Sequence, residues 1–174
     1  MSRRTIAIAA ALSVLALGSP LINANANPLA RQYLDQGLEK YDASNFQGAI
    51  ADFNKAIEID PQNADAYYYR AYARDWLEDY QAAIADYTKV IEINPRYSDV
   101  YYHRGTAKYF LYNYQGAIAD YTKAIEINPQ DEFVYTFLGG SREWVNDLEG
   151  ACDDWRKAAD LGDKEAAEYF GSKC

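Results

Sequence analysis

The sequence predicts an all-α fold, a row of helical hairpins stacked side by side, and three observations carry that reading. Pro61, Pro95 and Pro129 recur at a constant stride of 34 residues. Each closes a near-identical apolar stretch: Ala56-Ile57-Glu58-Ile59-Asp60, Val90-Ile91-Glu92-Ile93-Asn94 and Ala124-Ile125-Glu126-Ile127-Asn128. When these prolines are set at position 32 of a repeat, like residues fall in like columns of four consecutive units.

Within a unit, the first helix is expected over positions 1 to about 14 and the second over about 18 to 31. Proline then ends the second helix, because the residue before it avoids helical angles. Position 4 is Tyr33, Tyr67, Tyr101 and Tyr135; position 8 is Gly37, Ala71, Gly105 and Gly139. Position 17 is Phe46, Tyr80, Tyr114 and Leu148, and position 20 is Ala49, Ala83, Ala117 and Ala151. Position 24 is Phe53, Tyr87, Tyr121 and Trp155, and position 27 is Ala56, Val90, Ala124 and Ala158. Small residues at 8 and 20 let the two helices approach, while large ones at 4, 17 and 24 fill the space between units. One hairpin cannot bury its apolar face alone, so neighbours must stack. These columns absorb much of the excess of tyrosine, 17 residues in all.

The pattern resembles the tetratricopeptide repeat family, a 34-residue helix–turn–helix unit, over roughly residues 30 to 163. The resemblance implies a right-handed superhelical stack of three full units (30–63, 64–97, 98–131) and a degenerate fourth (132–163), with Asp163 in the place of proline. Two columns depart from the family. Position 7, ordinarily apolar, is Gln36, Arg70 and Arg104 before recovering as Leu138; position 11, ordinarily aromatic, is Lys40, Arg74, Lys108 and Arg142. Asp52, Asp86, Asp120 and Asp154 share position 23, and the arginines at 7 are expected to pair with them across the hairpin. Glu58, Glu92 and Glu126 stand three residues beyond Lys55, Lys89 and Lys123, the spacing of weak ion pairs on a solvated helix face.

At the C-terminus, a helix from about Gly150 to Leu161 stops at Gly162, a suitable left-handed residue. Asp163 can cap a last helix from Lys164 to about Phe170, whose apolar content is Ala166, Ala167, Tyr169 and Phe170. That helix would close the open end of the stack, in residues 164–174. The two antiparallel rises nearly match, which brings Cys174 level with Cys152 and predicts a disulfide.

Residues 1–26 read as an export signal: Arg3 and Arg4, an apolar run from Ile6 to Leu17, then Asn23-Ala24-Asn25-Ala26. The run is shorter than the roughly 20 residues of a membrane span. Cleavage after Ala26 is expected, with an uncleaved anchor as the alternative. Both place the chain outside the cytoplasm, in a periplasm or equivalent lumen or secreted, where a disulfide forms. Removing Arg3 and Arg4 takes the formal charge from −9 to −11, since no acid precedes residue 27. Nucleic acid is not expected as a partner of so acidic a chain.

No catalytic or metal-ligating constellation is present. His103 is the sole histidine and has no triad context, no cysteine or histidine group has metal spacing, and Gly139-Gly140 is not followed by a phosphate-loop lysine. No enzyme activity, cofactor or small-molecule substrate is expected. The resemblance places a binding groove on the first helices, at positions 2, 5, 6, 9, 12 and 13. These are Asp65, Tyr68, Tyr69, Tyr72, Asp75 and Trp76 in the second unit, and Asp99, Tyr102, His103, Thr106, Tyr109 and Phe110 in the third. Leu34, Leu38 and Tyr41 belong to the first, and Phe133, Phe137 and Trp144 to the fourth. Such a surface is apolar with polar tips and suits a protein or peptide partner. Family members that clamp acidic C-terminal tails carry Lys at position 5 and Asn at 9; here the columns are Leu34, Tyr68, Tyr102, Thr136 and Leu38, Tyr72, Thr106, Gly140. The expected guest is therefore a segment with aromatic or aliphatic side chains and some basic ones, and self-association is the second expectation.

Overall fold

The computed structural model describes residues 27–174, and among them every regular element is a helix. The predicted signal segment lies outside the described residues. Four hairpins run in order: α1 (Pro28–Asp42) with α2 (Phe46–Ile59), α3 (Ala64–Trp76) with α4 (Tyr80–Ile93), α5 (Ser98–Phe110) with α6 (Tyr114–Ile127), and α7 (Glu132–Trp144) with α8 (Leu148–Leu161). The short α9 (Lys164–Lys173) follows. Each helix packs on the next in sequence, and the first helices of neighbouring hairpins also touch one another. No described helix is long and apolar enough to cross a membrane.

The second helices begin at position 17, one residue earlier than expected, and the reason is a cap. Asn45, Asp79, Asn113 and Asp147, all at position 16, each accept a hydrogen bond from the backbone N–H three residues on, at 3.0–3.3 Å. One residue before each cap the chain enters the left-handed region without glycine, at Ser44, Glu78, Tyr112 and Asn146. At the other end, α8 stops on Gly162 at φ 113°, and Asp163 caps α9 through the Glu165 and Ala166 amides.

Positions 8, 20, 24 and 27 are buried in all four units. In the first, third and fourth units the ring at position 24 packs closely on the glycine at position 8 of its own hairpin. A Cβ on Gly139 would stand 2.6 Å from the Trp155 indole nitrogen, so only glycine admits the ring that close. Position 17 fills the space between units as expected: Phe46, Tyr80 and Tyr114 stack on the position-13 rings of the following unit, Trp76, Phe110 and Trp144, at 5.2–5.4 Å, with Tyr80 buried and the other two half-buried. Leu148 has no following unit to stack on and is exposed.

The carboxylates at position 23 are buried, and the two columns that depart from the family explain how. Asp86 receives Arg70 through Nε and Nη2 (2.8 and 2.6 Å) and Arg74 through Nη1 (2.6 Å). Asp120 receives Arg104 in the same two-pronged way and Lys108 at 2.7 Å. The position-7 arginines pair as expected, and the bases at position 11 join them. In the first unit, where position 7 is Gln36, Lys55 turns away from Glu58, lying 3.8 Å from Asp52 and over the Tyr33 ring, while Lys40 bonds Asp52. Lys89–Glu92 and Lys123–Glu126 form as the spacing predicts. In the fourth unit position 7 is Leu138, and Asp154 has only Arg142, 3.1 Å away and off the hydrogen-bond direction. Burial, partly offset by Arg142, pushes the Asp154 carboxyl up from 3.8 to about 7.

Both ends of the stack are closed. Where the inner units present Ala66, Val100 or Val134 at position 3, and Ala73, Ala107 or Ser141 at position 10, the first presents Gln32 and Glu39. Asp35 and Asp42 likewise stand at positions 6 and 13, so α1 turns a polar face outward. At the far end Ala166, Tyr169 and Phe170 of α9 cover Ala151, Trp155 and Ala158, while Ala167 faces solvent instead of the core. The Cys152 and Cys174 sulfurs are bonded, their Cα atoms 5.8 Å apart, and Lys173 ion-pairs with Glu143. Reduction of this bond should raise amide exchange across α9 and leave α3 to α6 protected. Uniform loss of protection along the stack would contradict a local role for the bond.

Candidate binding groove and its electrostatics

Because the first helices approach one another while the second helices lie outside them, α1, α3, α5 and α7 line the inner face of the stack. Along that face the aromatic side chains form a continuous row across the units. Tyr41 stacks on Tyr72 at 5.7 Å, and Tyr72 meets His103 at 4.9 Å. His103 meets Tyr102 at 5.1 Å, Tyr102 meets Phe137 at 5.8 Å, and Phe137 meets Tyr109 at 6.1 Å.

The residues proposed from sequence divide into three groups. Tyr72, Tyr102 and Tyr109 are half-buried in the wall of this face, and Phe133 is exposed at its lip. Thr106 is on the same wall, but its hydroxyl is engaged, donating to the Tyr102 carbonyl and accepting from Tyr121. Tyr68 and His103, by contrast, are interior. Tyr68 is 3% exposed and His103 9%, wedged between the second and third units among Tyr72, Tyr87, Tyr97 and Tyr102. Their columns look groove-facing on an ideal helix, yet the neighbouring unit covers them. Tyr69 leans back against Phe53 of the preceding unit at 6.3 Å. Trp76, Phe110 and Trp144 sit at the turn-side edge, stacked on position 17 of the unit before.

The wall is acidic as well as aromatic. Asp65, Asp99 and Asp131 stand near its lip, and burial pushes the Asp65 and Asp131 carboxyls up. Burial, followed by Asp75, takes Tyr72 to about 12; burial, followed by Asp99, takes Tyr97 to about 12. These phenols are neutral donors at any physiological pH. Burial lowers His103 from 6.5 to about 4, so the imidazole is an uncharged spacer in this row, not a proton carrier. Tyr97 is the wall residue that sequence reasoning missed. It occupies the place where Asn63 and Asp131 cap the neighbouring first helices, and it makes no cap bond, so a tyrosine in a capping column was the available signal. Among the described residues no group of three His, Cys, Asp or Glu side chains is placed to hold a metal ion.

Sequence models described as TPR repeat and tetratricopeptide repeat match this chain at residues 37–74, 64–97 and 98–131. A tetratricopeptide repeat protein 36 homolog from Nematostella vectensis is 43% identical over 54 residues, which is 30% of this chain and 30% of that relative's length. Among solved structures, a crystal structure of MamA is similar over 92% of this chain and 90% of that one, with a TM-score of 0.75 and 28% identity. The first TPR of Spaghetti (RPAP3), bound to the HSP90 peptide SRMEEVD, is similar over 68% of this chain and 94% of that one, with a TM-score of 0.66. At 23% identity that second likeness is one of fold.

Proposed function

Because the chain belongs to the tetratricopeptide repeat family, we propose that it is a protein–protein interaction scaffold that holds a peptide segment of its partner on the inner face of the stack. The observation that carries this reading is the aromatic row from Tyr41 to Tyr109, which is partly open to solvent and lies beside Asp65, Asp99 and Asp131. Aromatic walls with neutral hydroxyl tips bury apolar side chains and still bond a backbone. The aspartates favour a guest with Lys or Arg over the acidic tail seen bound to the Spaghetti domain. Leu34, Tyr68, Tyr102 and Thr136 in the column where an acidic-tail clamp needs lysine support the same preference.

End-to-end self-association, the second reading, has less support. The polar outward face of α1 and the covering helix α9 are what a finite stack presents, not a growing one. The leader-like residues 1–26 and the disulfide support an extracytoplasmic setting, and the acidic charge supports a protein partner over nucleic acid.

Photo-crosslinking tests the groove. Benzoylphenylalanine in place of Phe133 should yield a partner adduct in the native compartment, and in place of the exposed Lys157 on α8 it should not. With the partner in hand, Tyr72→Ala should weaken binding about tenfold with helicity unchanged. Adducts from position 157 and none from 133 would move the site off this face.

A further inference from the structure

The turns between the two helices of each hairpin form an edge of the stack that the groove reading leaves unexplained. Among the described residues, six of the eight exposed large hydrophobic side chains lie there: Trp76, Leu77, Leu111, Tyr112, Trp144 and Leu148. Two of them are held out by design of the backbone and the packing. Tyr112 is 80% exposed at φ 60°, a conformation that favours glycine, so the chain carries an aromatic ring at a strained position where it touches little but the edge of Tyr114. Trp144 is 61% exposed, yet its indole is stacked at 3° on Tyr114 and donates its N–H to the Tyr109 hydroxyl at 3.2 Å. Trp76 repeats the arrangement on Phe46 and Tyr41. Rings fixed in this way lose little freedom when a partner covers them.

The charge on this edge has one sign. Residues 41–48, 75–82, 109–116 and 143–150, positions 12 to 19 of the four units, contain no lysine or arginine and seven acids, Asp42, Asp75, Glu78, Asp79, Glu143, Asp147 and Glu149. From outside these segments Arg74, Lys108 and Arg142 reach the Ala82, Gly116 and Gly150 carbonyls, and Lys173 reaches the last turn. Each is engaged by a carboxylate: Arg74 by Asp86, Lys108 by Asp120, Arg142 by Asp147 and Asp154, and Lys173 by Glu143. An anionic lipid surface is repelled by such an edge, and a second copy would bring like charges together. Apolar area ringed by acid is complementary to a segment that interleaves large apolar side chains with Lys or Arg.

We infer that this turn edge is a second docking surface, separate from the inner groove, for a basic amphipathic segment of a partner protein. It does not depend on the groove reading, and one measurement separates the two. The chain has three tryptophans: Trp76 and Trp144 lie on the edge, and Trp155 is 1% exposed and serves as an internal reference. The probe is a synthetic peptide of Leu-Lys-Lys-Leu repeated three times. Two companions replace every Leu by Ser or every Lys by Glu. In nitrogen–proton correlation spectra, the Leu/Lys peptide should shift the Trp76 and Trp144 indole signals and leave Trp155 in place. Neither companion should do so. Read at those edge indoles, the double variant Leu111→Ser/Tyr112→Ser should bind the probe about tenfold more weakly, and Lys157→Ala, at an exposed position of α8, should bind it as wild type does. Unmoved edge indoles would overturn the inference. So would equal shifts from the Ser/Lys or the Leu/Glu peptide, equal shifts from phosphatidylcholine vesicles, or undiminished binding at the edge indoles in the Leu111→Ser/Tyr112→Ser variant.

Discussion

Asp86→Ala should destabilise the protein by about 3–5 kcal/mol, because it strands two guanidinium groups in the interior. Arg70 is bound to both carboxylate oxygens and Arg74 to one, and neither side chain reaches fully into water. The contrast with the fourth unit makes the test sharp. Asp154 occupies the same column but faces Leu138 at position 7 and has Arg142 alone. Its carboxyl already sits at about 7, half protonated near neutrality, so Asp154→Ala removes a group that burial disfavours. Its cost should be under about 1 kcal/mol. Urea titrations followed by far-UV circular dichroism measure both. Equal losses at the two positions would mean that the second cation contributes nothing.

The second large effect is on acid stability and centres on His103. Its folded value is about 4, lowered from 6.5 by burial among tyrosine rings. Between those values the unfolded chain binds a proton that the folded chain refuses, so stability falls as pH drops through that window. At about 1.4 kcal/mol per unit the loss reaches about 3 kcal/mol near pH 4. Asp154 acts with the opposite sign. Its folded value is raised, so the folded chain binds the extra proton and stability rises as pH falls from about 7 toward 4. The wild-type profile should therefore look flatter than either group alone would make it. In an Asp154→Asn background the His103 loss should stand out, and adding His103→Phe should abolish it. The measurement is urea unfolding by tryptophan fluorescence at several pH values, and parallel profiles for the two variants would refute the assignment.

The stride of the prolines and the small and large columns sufficed to read the stack, because repetition turns one weak pattern into four agreeing ones. The pairing of Arg70 and Arg104 with position 23 was legible for the same reason. The role of position 11 was not, since a lone basic column reads as solvated until the buried carboxylate it serves is known to sit opposite. The groove was only half legible. On an isolated helix Tyr68 and His103 project with Tyr72, and only the close approach of the next unit decides that they are covered. The polar outer face of α1 escaped notice because it is a difference between one row and the other three, whereas column reading seeks what the rows share.

Arg70 bonds Asn54 of the preceding hairpin at 2.6 Å, and Arg104 bonds Thr88 at 3.1 Å, so each guanidinium belongs to two units at once. In a linear array such clasps make adjoining units melt together. Leu138 supplies none at the last junction. The first three hairpins are thus clasped to one another, and thermal opening is expected to begin at the seam between the third and fourth.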